Sequence, residues 1–288
     1  MSNKIQVWYH KNCADGLAAA AVMMEFLHGI VGTVEYHAIQ YGDALPAVGA
    51  DDRIYMVDFS VSLNDLHAIY QAGPKCVTII DHHESFAENV PALKKSGYLG
   101  LEIRYDGNKC GAVLAWEYCF PQSSVPYFLE YIQDRDLWQW RHGEKSRVIS
   151  AGIRLMDQTI EAYNEMLFSF GDQFNDIFHQ GLAAGRMTQK YVEASMAKAV
   201  FCSFRGVDAV MVNASWTMCN SELGEGLLKN NPAAQVAVMW WEEEDGGRVY
   251  SLRSRKDYSC LPIAQAMGGG GHAQACAFKV EPLMERIG

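Results

Sequence analysis

The sequence predicts an α/β protein with an N-terminal parallel sheet covered by helices on both faces, a helical connector and a smaller C-terminal α/β domain. Two observations predict this class. In the N-terminal half, short apolar runs alternate with helical segments, which is the pattern of a parallel sheet. After a long helical stretch, short β-rich runs return before a glycine cluster at 268–271. We expect a first domain over 1–182, a connector over 183–200 and a second domain over 201–288.

The N-terminal strands are predicted from apolar runs at 5–9, 34–38, 53–57 and 75–80. An alanine-rich helix is expected over 15–27. Ser60 is the expected N-cap of a second helix over 61–71, which Gly73 and Pro74 end. Residues 111–119 and 125–133 also have helical character. The alternation places the carboxyl ends of several strands at one edge of a sheet.

The second half of the chain starts with helix and ends with strands. Residues 155–200 stay helical, and 186–200 form an amphipathic segment that suits a connector. Short β-rich runs follow at 198–204, 207–212, 235–241 and 248–253. Gly246 and Gly247 lie between the last two runs and predict a hairpin.

Composition and charge limit the partners. The chain is 49% hydrophobic and 20% charged, as in soluble globular proteins, and its start lacks a secretory signal, so we expect a cytoplasmic protein without a membrane partner. A net charge of −10 opposes binding of duplex DNA, because that affinity comes from phosphate neutralisation by a basic face. Eight cysteines show no Cys-x-x-Cys spacing, so a zinc site is not expected. The oligomeric state stays open, with a homodimer as one option.

Polar groups follow three of the predicted strands. Parallel strands open their binding crevice at their carboxyl ends, so these groups should converge. Carboxylates and imidazoles together suit a divalent metal such as Mn²⁺. For Asp15, a role as the cap of the helix that starts at Gly16 remains an alternative. The groups are His10 and Asp15, Asp58, and Asp81 with His82 and His83.

Two further acids lie close together at 134 and 136, in the stretch YIQDRDLWQW. Side chains at i and i+2 do not share a helix face, so at most one of them should bind a metal. We favour Asp134 as the ligand. Asp136 is then expected to pair with Arg135 or Arg141, or to cap a helix.

The glycine cluster near the carboxyl terminus is the second candidate site. Consecutive glycines let backbone N–H groups approach a ligand closely. Gly269, Gly270 and Gly271, together with His272 and Arg253, can form an anion site without a metal. A plain flexible loop is the alternative, although the small packable residues that follow, AQACAF, do not favour it.

Taken together, these segments resemble the DHH phosphoesterase superfamily with its glycine-rich DHH-associated domain. The resemblance covers nearly the whole chain and keeps the order of the family's motifs. It implies an N-terminal α/β domain that holds metals, a smaller domain that grips substrate, and Mn²⁺-dependent hydrolysis of phosphoester or phosphoanhydride bonds, with one or two ions and Mg²⁺ as an option. The motifs are HKNCADG (10–16), VDFS (57–60), DHH (81–83), KCGAVLAW (109–116), QDRDLW (133–138), SLRS (251–254) and GGGGHAQACAF (268–278).

The resemblance also implies roles for single residues. The implied metal ligands are His10, Asp15, Asp58, His82 and Asp134. His83 is implied to act near the scissile phosphate, and Asp81 to orient a histidine. Substrate binding is implied for Arg253, Gly269, Gly270, Gly271 and His272.

One departure from the family concerns the first motif. The family commonly has Asp-x-Asp there, whereas this chain has Cys13-Ala14-Asp15, one residue closer to His10. The first acid is therefore missing. Cys13 is a candidate substitute, but a soft thiolate suits Mn²⁺ poorly. We expect one metal, or a second one recruited with the substrate phosphate.

The expected activity is metal-dependent hydrolysis of short oligonucleotides or nucleotide phosphates. Trp138, Trp140, Trp240 and Trp241 are candidates to stack on bases, with a role in the core as the alternative. Two other functions remain open: hydrolysis of polyphosphate or pyrophosphate, which needs no surface for bases, and binding of nucleotide or nucleic acid without catalysis, which the missing acid would favour.

Overall fold

The computed structural model describes residues 4–169, 171–214 and 219–281. The chain forms two compact units, Met1–Gly185 and Arg186–Gly288. Each unit contains a sheet with helices, which confirms the predicted α/β class. Among the described residues, no helix is both long and apolar enough to cross a membrane.

The first unit is built on a parallel sheet of order β2-β1-β3-β4-β5. Its strands are β1 (Lys4–His10), β2 (Thr33–Ile39), β3 (Arg53–Val57), β4 (Cys76–Asp81) and β5 (Leu101–Tyr105). Its helices are α1 (Ala14–Leu27), α2 (Leu63–Gln71), α3 (Glu84–Ala87), α4 (Val90–Leu93), α5 (Gly111–Cys119), α6 (Tyr127–Asp136), α7 (Glu144–Ile153) and α8 (Ile160–Leu167). Helix α9 (Asp172–Met196) continues into the second unit. Residues 183–196 of the predicted connector are therefore the later part of a longer helix, and the connector's last residue, Val200, already belongs to a strand.

Side chains of the central strands alternate between two cores, one on each face of the sheet. Val57 and Ile80 pack into the core that contains α1 and α5, whereas Met56 and Ile79 pack into the core that contains α2. Alternation is the geometry of a strand, and burial on both faces explains why these strands are nearly continuous apolar runs. The two cores fix the strands, and with them the sheet edge at which the strands end.

Two local predictions need correction. Ser62, not Ser60, is the N-cap of α2, since its side chain accepts a hydrogen bond from the backbone N–H of Asp65. Strand β5 was not predicted, because its outer face is polar: Arg104 donates to Glu102 at 2.7 Å. This strand lies at the edge of the sheet, and only a few of its residues are apolar. The alternation of apolar and polar residues is therefore too short to predict a strand.

The second unit contains a mixed sheet of order β10-β11-β9-β8-β7-β6. Among the described strands of this sheet, only β7 and β8 pair in parallel, and helix α10 lies between them in the chain, as a parallel pair requires. The hairpin predicted at Gly246 and Gly247 joins β8 to β9. The elements are β6 (Val200–Phe204), β7 (Val207–Asn213), α10 (Asn220–Asn230), β8 (Val236–Glu242), β9 (Arg248–Ser254), α11 (Leu261–Gln265), β10 (Gly270–His272) and β11 (Ala275–Val280).

Candidate metal centre

Strands β1, β3 and β4 end side by side, and this brings the predicted residues together. Tyr9 pairs with Val57, and Val57 pairs with Ile80, so the residues that follow lie along one sheet edge. Asp58 leaves β3 in a left-handed conformation, with φ of 52°, while its N–H still donates to the carbonyl of Ile80 at 2.9 Å. Aspartate tolerates this region better than most residues.

Three carboxylates surround Nε2 of His82. The distance is 3.1 Å to Oδ1 of Asp58, 3.5 Å to Oδ2 of Asp15 and 3.6 Å to Oδ2 of Asp136. Asp15, Asp58 and His82 are buried. One ligand atom from each of these three residues lies within 4.8 Å of the others, which is a spacing that one divalent cation can bridge. We call Asp15, Asp58, His82 and Asp136 the carboxylate cluster.

Asp136 occupies the place that we predicted for Asp134, and this prediction was wrong. The carboxylate of Asp134 accepts hydrogen bonds from the N–H of Arg141 at 2.7 Å, the N–H of His142 at 3.4 Å and the hydroxyl of Ser146. These bonds tie Asp134 to the start of α7. Both acids lie in the last turn of α6. Because residues at i and i+2 lie on different faces of a helix, only Asp136 reaches His82.

Asp15 does cap a helix, but not the helix that the sequence suggested. Helix α1 starts at Ala14, with Cys13 as its N-cap residue. The carboxylate of Asp15 instead accepts from the N–H of Gly111 at 2.6 Å and of Ala112 at 2.8 Å, at the N-terminus of α5. These bonds position the carboxylate beside His82 and leave oxygen lone pairs for a cation.

Asp81 orients His83, and the family resemblance implied that Asp81 would orient a histidine. Oδ1 of Asp81 accepts from Nδ1 of His83 at 2.7 Å and from the backbone N–H of His82 at 2.8 Å. Burial would lower the pKa of His83, but Asp81 and Asp58 raise it to about 9. His83 therefore carries a proton at neutral pH in the metal-free protein.

The electrostatics of the carboxylate cluster fit a cation. Burial and the neighbouring carboxylates raise the pKa of Asp15 well above its usual value, and burial, with repulsion from Asp58, also raises the pKa of Asp136. Burial alone would lower the pKa of His82, but the carboxylates of Asp58, Asp136 and Asp15 raise it to about 10. Oδ2 of Asp136 is buried without a hydrogen-bond partner. A divalent cation would satisfy this oxygen and remove the repulsion between the carboxylates.

A second group of donor atoms adjoins the cluster. One ligand atom from each of His10, Cys13 and Asp58 lies within 4.8 Å of the others. His10 Nδ1 is 3.6 Å from Oδ2 of Asp58, the oxygen on the side away from the 3.1 Å contact with His82. Burial and the charges of Asp58, Asp136 and Asp15 raise the pKa of the Cys13 thiol well above its usual value. The sequence analysis named Cys13 as a candidate substitute for the acid that is missing from the first motif.

Gly111 makes the approach of α5 to the sheet edge possible. A Cβ at this position would lie 2.5 Å from Cβ of Asp58 and 2.7 Å from its Cα. No L side chain fits there without moving the backbone of Asp58. Asp136 and Gly111 are therefore two site residues that the sequence analysis did not assign.

In the second unit, the last two glycines of the cluster belong to a strand, whereas Gly268 lies in the turn before it. Gly270–His272 form β10, which pairs antiparallel with β11. A Cβ on Gly269 would clash with the carbonyl oxygen of Ala277, and one on Gly271 would lie 2.6 Å from that of Ala275. Packing against β11 therefore accounts for glycine at 269 and 271, whereas a Cβ on Gly270 would meet nothing within 4 Å.

Arg253 lies on β9 and is held by its own unit. Its guanidinium donates to the hydroxyl of Ser251 at 3.2 Å, to the carbonyl of Leu252 at 2.8 Å and to the hydroxyl of Ser221 at 2.9 Å. His272 pairs with Ala275 at the β10–β11 turn. The binding roles of Arg253 and His272 stay predictions.

Comparison with known proteins places this geometry in a known fold. No family model matches the chain. An uncharacterized protein of Acanthamoeba polyphaga mimivirus is 26% identical over an alignment of 297 positions that covers 93% of this chain; the chain spans 66% of that relative's length.

Two solved structures are similar over nearly the whole chain. The DHH domain of a member of the s1p family of ribosomal proteins is 12% identical, with 96% of this chain and 82% of that chain covered and a TM-score of 0.57. The exonuclease RecJ bound to manganese is 15% identical, with 97% and 86% covered and a TM-score of 0.50. The chain therefore has the fold of the DHH-domain proteins that its motifs predicted.

Proposed function

We propose that this protein is a metal-dependent phosphohydrolase that cleaves phosphoester bonds in short oligonucleotides or nucleotide phosphates. The observation that carries the proposal is the carboxylate cluster around Nε2 of His82, with His83 held beside it by Asp81. The similar RecJ structure supports it, since that protein is an exonuclease bound to manganese.

The residues of the carboxylate cluster would hold the cation, and we propose Mn²⁺, with Mg²⁺ as an alternative, because their donors are mostly hard oxygens. A bound divalent cation supplies a lowered pKa for water and offsets charge on phosphoryl oxygens. His83 keeps its Nδ1 on Asp81, so its Nε2 is the atom that would donate a proton to a phosphoryl or leaving-group oxygen. Asp58 contributes one oxygen towards His82 and one towards His10.

Aromatic residues that follow the cluster residue Asp136 in the sequence support a nucleotide substrate over polyphosphate. Trp138 and Trp140 lie two and four residues after Asp136, and both have a positive φ of 54°. The guanidinium of Arg135 lies 4.4 Å from the ring centroid of Trp138, and that of Arg147 lies 4.2 Å from that of Trp140. Bulky residues are rarely held in this conformation, and such strain is concentrated at functional sites. Aromatic rings can stack on the bases of a nucleotide, and guanidinium groups can pair with its phosphates.

Charge supports a small partner. With a net charge of −10, the protein suits a small phosphorylated compound or a short single strand better than duplex DNA. The polyphosphate alternative predicts hydrolysis that does not depend on a base.

The test is hydrolysis by metal-stripped protein with and without Mn²⁺ or Mg²⁺. The substrates are a short RNA, a short DNA, a nucleoside 3′,5′-bisphosphate, a cyclic dinucleotide and polyphosphate. Asp58→Ala should abolish turnover, because Asp58 contacts both groups of ligands, whereas Asp157→Ala, at an exposed position, should leave it unchanged. Turnover that survives Asp58→Ala, or that needs no metal, would refute the proposal.

A further inference from the structure

The group formed by His10, Cys13 and Asp58 differs chemically from the carboxylate cluster. His10 ends β1, Cys13 precedes α1 and Asp58 follows β3, so a strand end, a helix start and a second strand end bring the three together. Their donors are one nitrogen, one sulfur and one oxygen within 4.8 Å of each other. We call them the thiol group.

Two buried atoms of the thiol group form no hydrogen bond. Nδ1 of His10 and Oδ2 of Asp58 face each other at 3.6 Å, which is an ion-pair contact longer than a hydrogen bond. Asp58 is 1% exposed. Buried polar atoms without partners are costly, and a bound ion is one of the few ways to satisfy a nitrogen and an oxygen that face each other.

The position of Asp58 separates the two groups. Its Oδ1 lies 3.1 Å from His82 in the carboxylate cluster, and its Oδ2 faces His10 in the thiol group. The two oxygens of one carboxylate thus serve two sets of donors with different chemistry. The carboxylate cluster has three carboxylates and one imidazole. The thiol group has one carboxylate, one imidazole and one thiol.

We propose that His10, Cys13 and Asp58 form a separate metal site that takes a thiophilic divalent ion of the zinc class. Thiolates select Zn²⁺ and similar ions, whereas Mn²⁺ and Mg²⁺ prefer oxygen ligands. The inference rests on the proposed function to the extent that Asp58 belongs to both sites. The missing Cys-x-x-Cys spacing excludes a cysteine-rich zinc module and does not bear on a site with a single cysteine.

A second thiol near the cluster has to be distinguished from Cys13. Cys110 precedes α5, and a hydrogen bond from its side chain lowers the pKa of the Asp15 carboxyl. It belongs to no described group of three or more ligands. Cys110→Ser is therefore the variant that separates the two thiols, and Cys119→Ser is a matched control, because Cys119 is buried and lies by Met23.

The test uses Co²⁺ as a spectroscopic probe on metal-stripped protein. Coordination of Co²⁺ by a thiolate gives a sulfur-to-metal charge-transfer absorption that oxygen and nitrogen ligands do not give. We expect this absorption in the unmodified protein, in Cys110→Ser and in Cys119→Ser, and its loss in Cys13→Ser. Absence of the absorption from the unmodified protein, or its loss in Cys110→Ser with retention in Cys13→Ser, would overturn the proposal.

Cys13→Asp gives a second readout that a folding defect does not imitate. Replacing sulfur by a carboxylate should lower the affinity for Zn²⁺ at this site at least about tenfold. It should raise the number of Mn²⁺ ions bound from one to two, measured by metal analysis after dialysis. A Cys13→Asp protein with unchanged preference for Zn²⁺ over Mn²⁺ would contradict the assignment.

The two proposals can fail separately. A charge-transfer absorption that depends on Cys13, in a protein that hydrolyses no phosphorylated substrate, would support the thiol site and refute the proposed function. Mn²⁺-dependent hydrolysis without such an absorption would support the function and refute the thiol site.

Discussion

At the scale of single residues, Asp58 has the largest influence on the candidate site. Its left-handed backbone turns the side chain out of β3 at the sheet edge. Burial would raise its pKa, but the imidazoles of His10, His82 and His83 hold it well below the usual value. Asp58 is therefore the carboxylate of the site that ionises most readily, whereas burial and repulsion from Asp58 raise the pKa of Asp15 and of Asp136.

The two acids at the end of α6 give a matched pair of variants. Asp136→Asn should weaken the binding of a divalent cation about 10- to 100-fold, because it removes an oxygen next to His82. Asp134→Asn should leave that affinity unchanged and lower the free energy of unfolding by about 1–2 kcal/mol, because it weakens the bonds to the start of α7. Calorimetric metal titration and denaturant unfolding measure the two effects. The opposite pattern would restore Asp134 as the ligand.

At the scale of elements, the starts of two helices organise the carboxylate cluster. Asp15 lies in the first turn of α1 and accepts two backbone hydrogen bonds from the first turn of α5. Helix N-termini favour negative charge, so both helices support this carboxylate although it is buried. The packing of α5 against the sheet edge thus determines both the position of Asp15 and the clearance around Asp58.

Gly111→Ala tests this packing. The added methyl group would lie 2.5 Å from Cβ of Asp58, so we expect a loss of about 1–3 kcal/mol in the free energy of unfolding and weaker metal binding. Gly185→Ala is the control, since a Cβ in that helical position meets nothing within 4 Å, and helix propensity favours alanine by up to about 1 kcal/mol. Equal effects of the two changes on metal affinity would show that α5 does not position the site.

At the scale of the whole molecule, the site should make stability depend on pH and on metal. A histidine with a raised pKa in the folded state binds its proton more tightly there. The contribution of His83 is therefore complete below pH 6.5 and is lost as the pH rises through about 9. The raised pKa values of His82, Asp15 and Asp136 act in the same direction.

The metal-free protein should therefore be less stable at pH 9 than at pH 6.5, by up to about 3 kcal/mol from His83 alone. Thermal unfolding of chelated protein across this range measures the effect. Asp81→Asn should flatten the profile, because Asp81 is the main charge that raises the pKa of His83. A saturating divalent cation should also flatten it, and a stability of the chelated protein that rises with pH would contradict the assigned electrostatics.

Much of the fold and part of the site follow from local sequence. The apolar runs before His10, Asp58 and Asp81 mark three strands correctly, because burial on both faces of a parallel sheet requires such runs. Since parallel strands end at one edge, the convergence of His10, Asp58 and His82 follows as well. Edge strand β5 and helix α10 did not follow, because neither carries a strong apolar period.

What the sequence by itself determined is therefore the set of strand ends and the polar groups attached to them. Only the tertiary structure decided between Asp134 and Asp136, because the two side chains leave α6 in different directions and packing selects the one that reaches His82. It also decided that Asp15 caps a helix that starts 96 residues later. Both outcomes depend on contacts between elements that are distant in the chain, and a local pattern carries no information about such contacts.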